Sequence, residues 1–159
     1  VYCMPVVYVH HIISLTMQPF PAMLWSTWTV LIVGAGGIGS SAILYLAGAG
    51  VGSMTIVDFD VVEESNLHRQ VIHDTLAAQQ QTTKAISAAA RVKALNPYIT
   101  CDVVLEKLTH SNAVQIMTQQ AYDVVVDATD NFVARYLIND TCNHVGLSLV
   151  SGSAGTSRL

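Results

Sequence analysis

From Thr29 onward the chain alternates between two kinds of apolar block. Short runs rich in β-branched residues end in glycine or an acid, and longer runs repeat apolar positions at helical spacing. Thr29–Val33 predicts a buried strand that runs into glycines, Gly37–Gly48 a helix, and Ser53–Asp58 a second strand. A polar stretch, Glu63–Gln70, follows. Residues 78–95 predict a helix with Ala85, Ala88, Ala89, Val92 and Leu95 on one stripe, stopped by Asn96-Pro97. Tyr98–Leu105 predicts a third strand, Ser111–Gln120 a short helix and Tyr122–Asp127 a fourth strand. Asn131–His144 then reads as a helix and Ser148–Ser151 as the start of a fifth strand. Strands alternating with helices make βαβ units, so the fold class is α/β, a doubly wound and mostly parallel sheet of Rossmann-like type.

Composition sharpens this picture. Hydrophobic residues make up 52% of the 159 positions and charged residues only 11%, which excludes disorder and suits a sheet covered on both faces. A formal net charge of −4 leaves no basic footprint, so nucleic acid is not an expected partner. No Asp, Glu, Lys or Arg precedes Asp58, and Thr29–Val57 is apolar enough to suggest a membrane span. Seven glycines between Gly34 and Gly52 punctuate that stretch as strand, turn, helix and turn, so no membrane is expected. Cys3, Cys101 and Cys142 form no CxxC pair, which fits a reducing, cytoplasmic setting and excludes a cysteine-pair zinc site within the chain. Residues 1–28 carry no signal-peptide pattern and are assigned no function. Residues 29–159 are read as one nucleotide-binding domain.

The candidate chemistry begins at Gly34-Ala35-Gly36-Gly37-Ile38-Gly39, a G-x-G-x-x-G placed directly after a strand and at a helix start. Glycine there lets phosphate oxygens approach backbone N–H groups at the helix N-terminus. Asp58, closing the second strand, has the spacing of an acid that meets ribose hydroxyls. Glycines and one acid suit NAD as well as ATP. Asp60, Arg69 and Lys84 follow, and Asp130-Asn131 stands just after the fourth strand. In a doubly wound sheet the carboxyl ends of the strands share the ligand edge, and these residues fall at that edge. A dehydrogenase has no need of such a set. A nucleotidyl transferase does, with Arg69 and Lys84 offsetting charge at the α-phosphate and Asp130 holding Mg²⁺. Asp130 also suits the N-cap of the next helix. His68 and His73 read as polar surface groups rather than catalysts, and Cys142 as a packed residue.

The segments VLIVGAGGIG, VDFDVVEESNLHRQVIH, KAISAA, LNP, DVVVDATDN, ARYLIND and LVSGSA, in this order, resemble the ThiF/MoeB family of adenylating enzymes. The resemblance runs from Val30 to Ala154, about four-fifths of the chain. It implies ATP and Mg²⁺ as ligands, with Gly34, Gly36, Gly37 and Gly39 at the nucleotide and Asp58 on the ribose. Asp60, Ser65, Leu67 and His68 join the nucleotide-binding set, and Asn66, Arg69 and Lys84 contact the phosphates. Asp130 assists Mg²⁺, and Asn131 lies beside it. The implied reaction is attack of a ubiquitin-like sulfur carrier's C-terminal glycine carboxylate on the α-phosphate of ATP, in a homodimeric enzyme. Family members place an arginine ahead of the glycine loop and zinc-binding CxxC pairs further on; this sequence has no arginine before Arg69 and no such pairs. The chain is therefore expected to be the N-terminal part of such an enzyme and a poor catalyst by itself. Two alternatives stand beside it: an NAD-dependent oxidoreductase domain, and a non-catalytic scaffold that retains the nucleotide fold.

Overall fold

A computed structural model describes residues 22–152. A 3-10 segment, Ala22–Thr27, leads into β1 (Thr29–Val33), α1 (Gly37–Ala49) and β2 (Ser53–Val57). A 3-10 turn at Glu64–Asn66 is followed by α2 (Thr75–Gln79), α3 (Lys84–Leu95) and β3 (Thr100–Val104). Then come α4 (Ala113–Thr118), β4 (Val124–Asp127), α5 (Phe132–Val145) and β5 (Leu149–Ser151). The strands pair in the order β3-β2-β1-β4-β5, every pair parallel. The chain winds outward from β1 in one direction and then returns to the other side of it. This reversal places a switch point between β1 and β4, where open α/β sheets bind ligands.

Burial on both faces explains the continuous apolar strands. Val30 and Ile32 of β1 point into one layer with Ile43, Leu46, Ala85, Ala88 and Val92 from α1 and α3. Leu31 and Val33 point into the other with Ile116, Met117, Ile138 and Cys142 from α4 and α5. Glycines in the left-handed conformation end two of these helices, Gly50 (φ 81°) after α1 and Gly146 (φ 75°) after α5. The Asn96 side chain donates to the Ala47 carbonyl at 3.1 Å and so ties the end of α3 to the end of α1. No helix among the described residues is long and apolar enough to cross a membrane.

The helix expected over residues 78–95 is two helices. Gln81 takes a left-handed φ of 50°, and residues 82–84 fold back to pair with residues 60–62. The Thr82 carbonyl accepts from Val62 N–H at 2.9 Å, and Lys84 N–H donates to the Asp60 carbonyl at 2.8 Å. That pairing delays the start of α3 to Lys84. The buried stripe is therefore Ala85, Ala88 and Val92, with Leu95 exposed at the end.

Candidate functional site

A cleft of about 560 Å³ opens at the switch point, along the carboxyl ends of β1, β2 and β4. Gly34, Gly36 and Gly37 form part of its wall, with Asp58, Asp60, Arg69, Lys84, Asp130 and Asn131. These nine sequence-predicted residues meet in one place. Gly39, Ser65, Asn66, Leu67 and His68 stand outside the cleft lining.

Each part of the site has a local cause. Gly34 has φ 100°, and a Cβ there would sit 2.8 Å from the Ala128 carbonyl oxygen, so only glycine permits β1 to pass this close to the β4 loop. A Cβ on Gly39 would lie 2.0 Å from the Gly34 carbonyl oxygen, which makes Gly39 the contact that seats α1 against its own loop. At Gly36 and Gly37 the nearest neighbours of an added Cβ are 3.7 and 3.5 Å away. Glycine at those two positions leaves open space on the cleft side rather than relieving an internal clash. The N–H groups of Gly36, Gly37 and Ile38 meet no acceptor among the described residues. Three free donors at a helix N-terminus make an anion site.

Asp58 braces this loop from below. Its carboxylate accepts from Ala35 N–H at 2.7 Å and from Asp60 N–H at 2.9 Å. Burial pushes its carboxyl above the ordinary carboxylate value, against the pull of those two N–H groups. A carboxylate has about four acceptor sites, so two remain for a ligand. Lys84, the first residue of α3, is nearly buried, and its ammonium pairs with the Asp60 carboxylate at 2.9 Å. Arg69 is exposed; its guanidinium donates to the Asn66 side-chain oxygen and lies 3.4 Å from His68 Nε2. Asn66 and His68 thus both contact Arg69, which has no carboxylate partner among the described residues.

The Asp130 loop is held by its neighbours. Asp127, 1% exposed, accepts from Thr129 N–H at 3.0 Å, Thr129 Oγ1 at 2.6 Å and Ser151 Oγ at 2.7 Å. Arg135 lies 3.8 Å from the same carboxylate and donates to the Thr129 and Gly152 carbonyls. The N-cap of α5 is Asn131, whose side chain accepts from Ala134 N–H at 2.8 Å, and not Asp130. Helix α5 starts one residue later than an Asp130 cap would require. Asp130 is left exposed on the cleft wall with no hydrogen bond or ion pair of its own among the described residues.

The sequence from residue 22 to residue 158 matches the ThiF family model. The chain belongs to the ThiF family. Among its relatives, "Adenylyltransferase and sulfurtransferase MOCS3" of Arabidopsis thaliana is 49% identical over 126 residues, which cover 79% of this chain and 26% of that protein. The "SAMP-activating enzyme E1" of Haloferax volcanii is 49% identical over 126 residues, 78% of this chain and 44% of that protein. This ThiF-family chain thus spans less than half the length of either relative. Among solved structures, the tRNA N6-threonylcarbamoyladenosine dehydratase TcdA of E. coli in complex with ATP superposes with a TM-score of 0.78 at 29% identity. The match covers 94% of this chain and 60% of that one. E. coli MccB with MccA shares the fold, with a TM-score of 0.73 at 21% identity over 84% of this chain and 39% of that one.

Several residues of the cleft wall were not singled out from the sequence. Gln70, Phe59, Glu106, Lys107, Thr129 and Leu137 also line the cleft. Lys107 lies over the Phe59 ring, 5.7 Å from its centroid, and supplies a third cation. Its signal was positional: it follows β3 by three residues, on the edge where every strand's carboxyl end faces the ligand. His73 is the larger surprise. It is buried rather than a surface group, with Nε2 2.9 Å from the Ala35 carbonyl oxygen and Nδ1 2.9 Å from Ser87 Oγ. Cys142 is packed as expected, 4.0 Å from Met117 Sδ, and burial raises its thiol pKa.

Proposed function

We propose that this domain binds ATP for adenylation of the C-terminal glycine carboxylate of a ubiquitin-like sulfur-carrier protein. One observation carries the reading: three free backbone N–H groups, Arg69, Lys84 and Asp130 converge on one cleft at the switch point. Phosphates accept from the N–H groups of Gly36, Gly37 and Ile38, and the ribose hydroxyls donate to the unused acceptor sites of Asp58. The names of the relatives support adenylation, and the ATP complex of TcdA supports the choice of nucleotide.

In the proposed reaction a carboxylate oxygen of the carrier bonds to the α-phosphorus. The bond from that phosphorus to its bridging oxygen breaks, and pyrophosphate leaves with the electron pair. Neither step requires a covalent group from the protein, so this chain's residues work by positioning and by charge. Arg69 and Lys84 face the phosphates and offset charge as it shifts toward the leaving group. Asp60 keeps the Lys84 ammonium in place through its ion pair.

Mg²⁺ when bound neutralises phosphate charge and orients the triphosphate. The residues fit such an ion, because Mg²⁺ needs only one or two protein carboxylates beside phosphates and water. Asp130, exposed on the cleft wall without a protein partner among the described residues, is the residue that would hold it.

The test is ATP–pyrophosphate exchange with Arg69→Ala grafted into a full-length relative. Exchange should require a carrier with an intact terminal glycine carboxylate. The substitution should lower the exchange rate more than it lowers ATP affinity, because charge redistributes only as phosphorus is attacked. Exchange that ignores the carrier would refute the reaction. Equal losses of rate and affinity would reduce Arg69 to a ground-state anchor.

A further inference from the structure

The glycine loop is gripped at both peptide groups that flank Ala35. Asp58 holds the Ala35 N–H at 2.7 Å, and His73 Nε2 lies 2.9 Å from the Ala35 carbonyl oxygen. A carbonyl only accepts, so Nε2 carries the proton and donates. In a trans peptide the C=O and the next N–H point in opposite directions within one plane. No peptide in the described chain is cis. Fixing the Ala35 carbonyl toward His73 therefore fixes the Gly36 N–H away from it, and Gly36 is on the cleft wall with that N–H unbonded.

The other ring nitrogen reaches a second element. Nδ1 lies 2.9 Å from Ser87 Oγ, one turn into α3, whose first residue is Lys84. In the neutral ring Nδ1 accepts from that hydroxyl. One imidazole thus links the loop that offers N–H groups to the helix that carries the cleft's buried cation. The histidine is not itself part of the cleft wall, and its one hydrogen bond to a wall residue, among the described residues, runs from its backbone N–H to the Gln70 carbonyl at 3.1 Å.

We infer that His73 is a positioning residue of the nucleotide site: it aims the Gly36 N–H at a phosphate and fixes the glycine loop relative to Lys84. The inference rests on the ATP reading above. Burial lowers the imidazole pKa from its ordinary value, which agrees with a neutral ring that donates from one nitrogen and accepts at the other.

Two measurements on the 159-residue chain test it. The long-range ¹H–¹⁵N spectrum of the parent's histidines should show His73 neutral and protonated at Nε2; a neutral Nδ1-protonated ring would overturn the inference without any substitution. Calorimetric titration with Mg-ATP then compares His73→Leu, His73→Gln and Ser87→Ala. His73→Leu should weaken binding about tenfold, the scale of one hydrogen bond lost in a buried setting. His73→Gln, whose amide still donates to the Ala35 carbonyl, should recover most of that affinity, and Ser87→Ala should fall between. A folded His73→Leu chain that binds as the parent does would overturn this inference alone, as would a Gln variant no better than Leu. A parent chain that binds no Mg-ATP would overturn the ATP reading and this inference with it.

Discussion

Two glycines of α1, nine residues apart, should respond to alanine in opposite ways. A Cβ at Gly39 would stand 2.0 Å from the Gly34 carbonyl oxygen and 2.8 Å from its carbon. Ordinary contacts of this kind are no closer than about 3 Å, so α1 and the glycine loop would have to separate by roughly 1 Å. Overpacking of that size costs about 1–3 kcal/mol or more, because a close-packed interior transmits the strain. The displaced groups are the loop and helix N-terminus that offer the free N–H groups, so nucleotide affinity should fall with stability. Gly48 lies in the same helix, exposed, with nothing within 4 Å of an added Cβ. Gly48→Ala should stabilise by roughly 0.5–1 kcal/mol through helix propensity alone. Urea unfolding of the two variants beside the parent reads both signs at once, and Mg-ATP titration reads the site. A Gly39→Ala chain within about 0.5 kcal/mol of the parent, with unchanged ATP affinity, would refute the packing argument.

Three further outcomes follow from the same geometry. Asp127→Ala should cost about 3–5 kcal/mol in urea unfolding, since it leaves Arg135, Thr129 and Ser151 without their buried acceptor; a loss under about 1 kcal/mol would contradict that role. Asn131→Ala should cost about 1 kcal/mol of stability as a lost N-cap, whereas Asp130→Ala should leave stability unchanged and weaken only the Mg²⁺-dependent part of ATP binding. Exchanged phenotypes would show the two roles to be reversed. The lowered His73 pKa means that the unfolded chain binds more protons between that folded value and 6.5. Its contribution to stability is thus full above the unfolded value and falls as pH drops through this window. His73→Gln should flatten that slope in pH-dependent unfolding, and an unchanged slope would assign it to other groups.

The fold was legible because β1, β2 and β4 are β-branched runs that end at a glycine or an acid, and each βα crossover carries its own punctuation. The glycine loop, Asp58 and Asp130 were legible because they follow the carboxyl ends of parallel strands, which share one edge; Lys84 was placed by the helix start beside that edge, and Arg69 by its motif. The break at Gln81 goes with residues 60–62 pairing with 82–84, and the local signal, Thr83 as N-cap of the second helix, was passed over. Asp130 and Asn131 are equally good caps by residue type, and the position where α5 begins decides between them. His73 follows the polar stretch Glu63–Gln70 by three residues, and its partner is Ala35, 38 positions earlier. Arg135 and Asp127 meet across a loop whose shape no local signal records.

The proposed function requires a cleft that prefers a nucleoside triphosphate with its metal over a dinucleotide. Calorimetric titration of the 159-residue chain with Mg-ATP, ATP alone and NAD tests that preference most directly. Mg-ATP should bind most tightly, ATP alone more weakly because Asp130 then lacks its ion, and NAD weakest of the three. Tighter binding of NAD than of Mg-ATP would contradict the account.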